Sequence, residues 1–127
     1  MNWTEAENLC QASVETGEGH LASVLDQTTN DFITTLTVNM SWIGGFMSED
    51  HTEWLWIDGS PWGYEAWLTS EPNQMHNAED YLNINWAAHI GLWADNPRGS
   101  LGFVCQYNQK GWYIHRCCLF HVSHFSI

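Results

Sequence analysis

All fifteen Asp and Glu side chains lie between Glu5 and Asp95, and Arg98 is the only Lys or Arg before Lys110. Carboxylates at that density, with so little opposing charge, create a field that attracts cations such as calcium. The same field repels phosphate backbones and anionic membranes, so nucleic acid is a poor partner. Most of these carboxylates serve as a solubilising acidic surface. Other reactive residue types are less suggestively arranged. His20, His51, His76 and His89 show no zinc-ligand spacing, and the adjacent Cys117-Cys118 has no CxxC partner. Carboxylate pairs abound in any acidic chain, so glycoside hydrolysis has no specific support. Neither a Gly-rich phosphate loop nor a nucleophile elbow is present. The residues point to binding and away from catalysis; the protein is not expected to be an enzyme.

Binding residues need a scaffold to hold them. A chain of 127 residues is one domain with one core. Its nine tryptophans combine large buried area with a polar N–H, which suits a core close to a binding surface. No apolar run approaches the roughly 18–20 residues that span a bilayer. Met1-Asn2-Trp3-Thr4-Glu5 lacks the basic-then-apolar pattern of a secretory signal. Thr4 and Glu7 read as a capping box opening a helix, with Ala6, Leu9, Cys10 and Val14 as its apolar stripe and Gly17 or Gly19 as its end. Residues 20–24 read as a short strand. Asp26 caps a second helix that runs to Leu36 and turns Phe32, Ile33 and Leu36 inward.

Beyond Leu36 the texture changes to short strands punctuated by Gly, Pro and Asn. Candidates cover residues 41–46, 53–57, 81–86, 91–93 and 103–107. Residues 58–80 are polar, aromatic and aperiodic; so long a structureless stretch in a compact domain is usually functional. The sum is an α+β fold. From Asn108 the composition shifts: no acid, three histidines (His115, His121 and His124) and Cys117-Cys118. The expected organisation is a domain over residues 1–107 and an unrelated C-terminal extension over 108–127.

Several motifs, in order, carry a resemblance. Trp3, Ala6 and Cys10, then His20-Leu21-Ala22-Ser23 and Trp42-Ile43-Gly44-Gly45, resemble the first half of a C-type lectin-like domain. Trp54-Leu55-Trp56-Ile57-Asp58-Gly59-Ser60, Glu71-Pro72-Asn73, Trp93-Ala94-Asp95 and Gly102-Phe103-Val104-Cys105 resemble the second. The likeness covers residues 3–107, in the style of the soluble single-domain lectins of fish. It implies two helices flanking short antiparallel sheets with a long ligand-binding loop.

The resemblance also implies a disulfide between Cys10 and Cys105, the alternative being two buried free thiols. Such a bridge closes a long loop and contributes roughly 4–5 kcal/mol on the chain-entropy model. A disulfide implies an oxidising compartment, hence a secreted protein. The sequons Asn2-Trp3-Thr4 and Asn39-Met40-Ser41 are consistent with that. The family's second bridge is absent, its positions holding Tyr81 and Arg98, which should loosen the long loop. The family's opening strand is absent too. The chain is therefore expected to be truncated at its start, leaving residues 103–107 as an open edge. Trp112, Tyr113 and Ile114 have strand character and could cover that edge.

In the family's calcium-dependent members, an acid–proline–amide triplet, a glutamate eight residues after its first member and a Trp-Asn-Asp strand supply the oxygens. Position by position these are Glu71, Asn73, Glu79 and Asp95, with Pro72 preceded by a cis bond. The expected metal is Ca2+. The expected partner is a mannose-type glycan or glycoprotein, with vicinal hydroxyls on the ion and hydrogen bonds to Glu71, Asn73 and Glu79. Asp95 completes the carbohydrate-binding set. Glu and Asn in this order resemble the mannose arrangement and not the galactose one. Ala94 departs from the family's asparagine and removes one ligand oxygen and one N–H donor, weakening both interactions. His76 or Trp86 could pack on a sugar face, though each reads more readily as structural. Alternative readings are an ice-binding protein of the type II antifreeze kind and a lectin-like domain that binds protein. An oligomer is compatible with all of them.

Overall fold

A computed structural model describes residues 1–12, 19–72, 81–96 and 99–107 in full, and the backbone alone of 112–115 and 124–125. Helix α1 spans Trp3–Ala12. Its cap differs from the expected one: Asn2 Oδ1 accepts from Glu5 N at 2.8 Å, and Glu5 Oε1 accepts from Asn2 N at 3.0 Å. This is the capping-box reciprocity set two residues earlier than the Thr4–Glu7 reading. Glu7 is thereby released for the interior. Its Oε1 accepts from Leu21 N at 2.8 Å, and Oε2 accepts from Gln11 Nε2 at 2.6 Å and lies 2.7 Å from His20 Nδ1.

Strand β1 is Gly19–Leu21, and α2 is Gln27–Leu36. Asp26 caps α2 as expected, its Oδ1 accepting from Thr29 N at 2.7 Å. The remaining strands are β2 (Ser41–Met47), β3 (Trp54–Trp56), β4 (Tyr81–Ile84), β5 (Trp93–Asn96), β6 (Gly102–Tyr107), β7 (Trp112–His115) and β8 (His124–Phe125). They form one mixed sheet in the order β5-β4-β2-β6-β7-β8, with β1 paired to β6 and β3 to β2. The β2–β6 pair is parallel, while β4 runs antiparallel to both β2 and β5.

Two clusters make the core. One joins α1, β1, β2 and β6 through Trp3, Leu21, Trp42, Phe103 and the disulfide. The other joins α2 to β3, β4 and β5 through Ile33, Trp56, Leu82, Ile84 and Trp93. Their meeting point is β2, where a Cβ on Gly44 would stand 2.6 Å from Leu21 O and one on Gly45 2.6 Å from Leu82 Cδ2. Only glycines let β2 be approached so closely from both sides.

Cys10 and Cys105 are bonded, with Cα atoms 5.5 Å apart across a sequence separation of 95. Tyr81, at a position where the family has cysteine, stacks on Trp3 with centroids 4.8 Å apart. An aromatic contact thus ties β4 to α1. Arg98, the other such position, lies outside the described residues, as does Val14 of the expected apolar stripe. The edge of β6 opposite β1 is not open: β7 pairs along it antiparallel, from Phe103↔His115 to Gln106↔Trp112.

Candidate functional site

The long loop is positioned by indoles. Trp62 stacks on Trp56 with centroids at 4.6 Å, Trp67 lies 5.3 Å from Trp54, and Trp62, Tyr64 and Trp67 all contact Trp93 edge-on at 5.8–5.9 Å. Such offset and edge arrangements are those the ring quadrupoles favour. Trp93 is itself fixed: its Nε1 donates to Asn30 Oδ1 at 2.9 Å, and Asn30 Nδ2 donates to Gly91 O at 2.8 Å. This buried asparagine of α2 had no sequence signal, because nothing local marks an inward-facing amide on a polar helix.

The backbone of the loop then joins the sheet edge. Trp93 N donates to Ala66 O at 2.8 Å, Leu68 N donates to Trp93 O at 2.9 Å, and Trp67 forms a parallel bridge with Trp93. The parallel sense carries the chain from Trp67 toward the Asp95 end of β5. A turn follows, in which Glu71 N donates to Leu68 O at 2.9 Å. The Glu71–Pro72 bond is cis, as the resemblance implied.

Of the four expected ligands, Glu71 and Asp95 are described: Glu71 closes the turn after the Trp67–Trp93 bridge, and Asp95 lies on β5. Asp95 is 4 % exposed and pairs with Leu82 across β4. Glu71 Oε2 is shielded from solvent. Asn73 and Glu79 lie outside the described residues, as does His76. Ala94 is fully buried opposite Asn83, so the departure from the family's asparagine sits inside the sheet beside Asp95. Among the described residues no group of three or more His, Cys, Asp or Glu side chains is arranged to hold a metal ion. Trp86 stands at the tip of the β4–β5 hairpin, beyond the Ile84↔Trp93 pair, whereas Asp95 pairs with Leu82. That tip holds Asn85, Ala87 and Ala88 at positive φ. It is secured by the buried Asn85, whose Nδ2 donates to Thr37 O and Asn39 O and whose Oδ1 accepts from Gly91 N.

Two polar arrangements were not read from the sequence. Asp58, named above only as part of a family motif, joins three segments: its Oδ1 accepts from Ser23 Oγ at 2.6 Å and Ser60 N at 2.9 Å, and Oδ2 from Gln106 Nε2 at 2.8 Å and Ser60 Oγ at 2.9 Å. Burial alone would push this carboxyl up; the hydrogen bonds together outweigh it and hold the carboxyl below its ordinary value. The second is a cavity of about 320 Å³ between α2 and the loop, bordered by Gln27, Asp31, Tyr64, Glu65 and Ile90. Tyr64 Oη donates to Gln27 Oε1 at 2.7 Å. Burial, then the charges of Asp31 and Asp26, raises the Tyr64 hydroxyl above its usual range and keeps it a donor.

Comparison with known proteins agrees with this architecture. Residues 1–107 match the Lectin C-type domain family. The chain is similar to a lectin of Pleurodeles waltl, 32% identical over an alignment of 113 residues that covers 84% of this chain and 64% of that one. It is also similar to a type-2 ice-structuring protein of Hemitripterus americanus, 36% identical over 75 residues, or 59% and 44% of the two chains. The chain thus spans less than two thirds of the length of either relative. Among solved structures, the cow C-type carbohydrate-recognition domain of CD23, in the presence of GlcNAc2Man3 oligosaccharide, superposes with a TM-score of 0.67. It is 28% identical, with 79% of this chain and 73% of that one covered. No helix among the described residues is long and apolar enough to cross a membrane. With the family matched from Met1 to Tyr107, and with the helices, sheet, bridge and cis-proline turn in their places, the chain belongs to the C-type lectin domain family.

Proposed function

We propose that this protein is a secreted lectin that binds mannose-type sugars through calcium, with affinity reduced by Ala94. What supports the reading is the cis Glu71–Pro72 turn that follows the Trp67–Trp93 bridge, with the buried Asp95 two residues beyond Trp93 on the same edge strand. A hard divalent cation with oxygen ligands fits this donor set of carboxylates and an amide. Glu71, Asn73, Glu79 and Asp95 are the proposed ligands. Calcium, when bound, would offer coordination positions to two vicinal sugar hydroxyls. Glu71 and Glu79 then accept hydrogen bonds from those hydroxyls, and Asn73 donates one. The lectin of Pleurodeles waltl and the oligosaccharide beside the CD23 domain support a carbohydrate ligand. Residues 1–107 are proposed to hold the whole site, with 108–127 contributing nothing to it.

Isothermal titration of calcium and of mannose against parent, Ala94→Asn and Glu79→Ala proteins tests the reading. One restored charge-assisted contact is worth about 1.5–3 kcal/mol, so Ala94→Asn should tighten both ligands by roughly ten- to a hundredfold. Glu79→Ala should abolish both, and binding should fade on acidification as protons compete with the ion for carboxylates. An Ala94→Asn protein that gains for neither ligand sinks the proposal. The similarity to an ice-structuring protein favours ice as the second reading, and thermal hysteresis of the parent protein without calcium would support it. Removal of residues 108–127 should leave ligand affinity unchanged. It should raise self-association in sizing experiments, because the β6 edge that β7 covers is then open.

A further inference from the structure

The two sequons occupy different surroundings. In Asn2-Trp3-Thr4 the asparagine Oδ1 is the helix cap, Trp3 is buried and Thr4 is already in α1. Asn39-Met40-Ser41 lies in the extended connection from α2 to β2, with Asn39 exposed. The backbone of Asn39 is anchored, its carbonyl accepting from Asn85 Nδ2 at 3.0 Å and Ser41 Oγ at 3.0 Å. Its side-chain amide has no hydrogen-bond partner among the described residues. The flanking Val38 and Met40 are 60% and 37% exposed, an apolar surface on either side of that free amide.

From this geometry we propose that Asn39 carries an N-linked glycan. The inference rests on the secreted reading above and not on the sugar site. Ser41 is 2% exposed in the folded protein, so transfer must precede closure of β2. The partners of Ser41 are Ile84 and Gly102, both far along the chain, so this sequon stays accessible while the chain emerges. The Asn2–Glu5 cap needs no distant partner. In the transfer, a bond forms between Asn39 Nδ2 and the anomeric carbon of a lipid-diphosphate-linked oligosaccharide. The bond from that carbon to the diphosphate oxygen breaks, the lipid diphosphate leaves with the electron pair, and the amide gives up one proton to the transferase's base. The Ser41 hydroxyl is the sequon's recognition group. In the finished protein the glycan would extend over Val38 and Met40.

The full chain, carrying a supplied cleavable secretion signal, should be produced in a eukaryotic secretory host and treated with peptide-N-glycosidase. The supplied signal makes the outcome independent of the chain's own route of export. The expected result is a mobility shift of one glycan and conversion of Asn39 to aspartate in the peptide map. Asn39→Gln and Ser41→Ala should each abolish the shift, while Thr4→Ala should leave it. The lumenal intracellular pool is mapped alongside the medium, so a variant that is retained still gives a reading. An unmodified Asn39 in both pools, or a shift that disappears with Thr4→Ala and survives Ser41→Ala, overturns the proposal.

Discussion

The two halves of this molecule are held by different means. Around α1, β1 and β6 the fasteners are a covalent bridge and two polar hubs, the buried Glu7 on one side and the half-buried Asp58 on the other. Around the long loop and β5 they are indoles packed on Trp93, with no bridge among the described residues of that half. A disulfide acts chiefly on the unfolded chain, whereas aromatic packing acts only while the loop is docked. The first half should therefore control global stability, and the second should control whether the long loop is in place.

The largest expected effect comes from breaking the bridge. Cys10→Ser with Cys105→Ser should cost roughly 4–5 kcal/mol, read as a lower midpoint in urea unfolding. A midpoint unchanged from the parent would erase the contrast between the halves. Next in size is Trp62→Ala, which removes a half-buried ring that touches Trp54, Trp56 and Trp93. About 2 kcal/mol should be lost, in keeping with partial burial of a large side chain. The loss should fall on the loop, so amide exchange at residues 62–68 should rise well before the α1 amides respond. Equal acceleration in both halves would mean that the loop is not an independent unit.

The smallest effect belongs to Asp58. Asp58→Asn should cost about 1 kcal/mol near neutral pH, because charge-assisted bonds from Ser23, Ser60 and Gln106 weaken. The sign with pH follows from the depressed carboxyl. Its contribution is present above the unfolded carboxylate value of about 4 and is lost as pH falls through the folded value. The gap between parent and variant should narrow on acidification, and thermal melts across that range would show it. A gap that widens in acid would remove Asp58 from the list of stabilising hubs.

Local and distant information divide cleanly across this chain. Asp26 capping α2 was legible because a cap reads only the next three residues. The cis Glu71–Pro72 bond and the Cys10–Cys105 bridge were legible through the order of family motifs, not through any local rule. Boundaries were less so: residues 91–93 read as a strand, yet β5 is Trp93–Asn96. The hairpin tip ahead of it is set by Asn85 reaching back to Thr37 and Asn39, and no window of neighbouring residues contains that contact.

Glu7 marks the limit most clearly. By itself the sequence determined that a helix opens near Thr4 and carries an apolar stripe with Cys10, since period and cap chemistry are written in consecutive residues. Which glutamate closes the cap, and which turns inward, was decided only when β1 packed against the helix. A buried strand amide at Leu21 needed an acceptor, and Glu7 stood within 2.8 Å of it. The same holds for the site. Composition and motif order determined which carboxylates to consider, but only the tertiary structure docks the loop that precedes Glu71 along β5, through the parallel bridge between Trp67 and Trp93, because that alignment depends on indoles drawn from three separate segments.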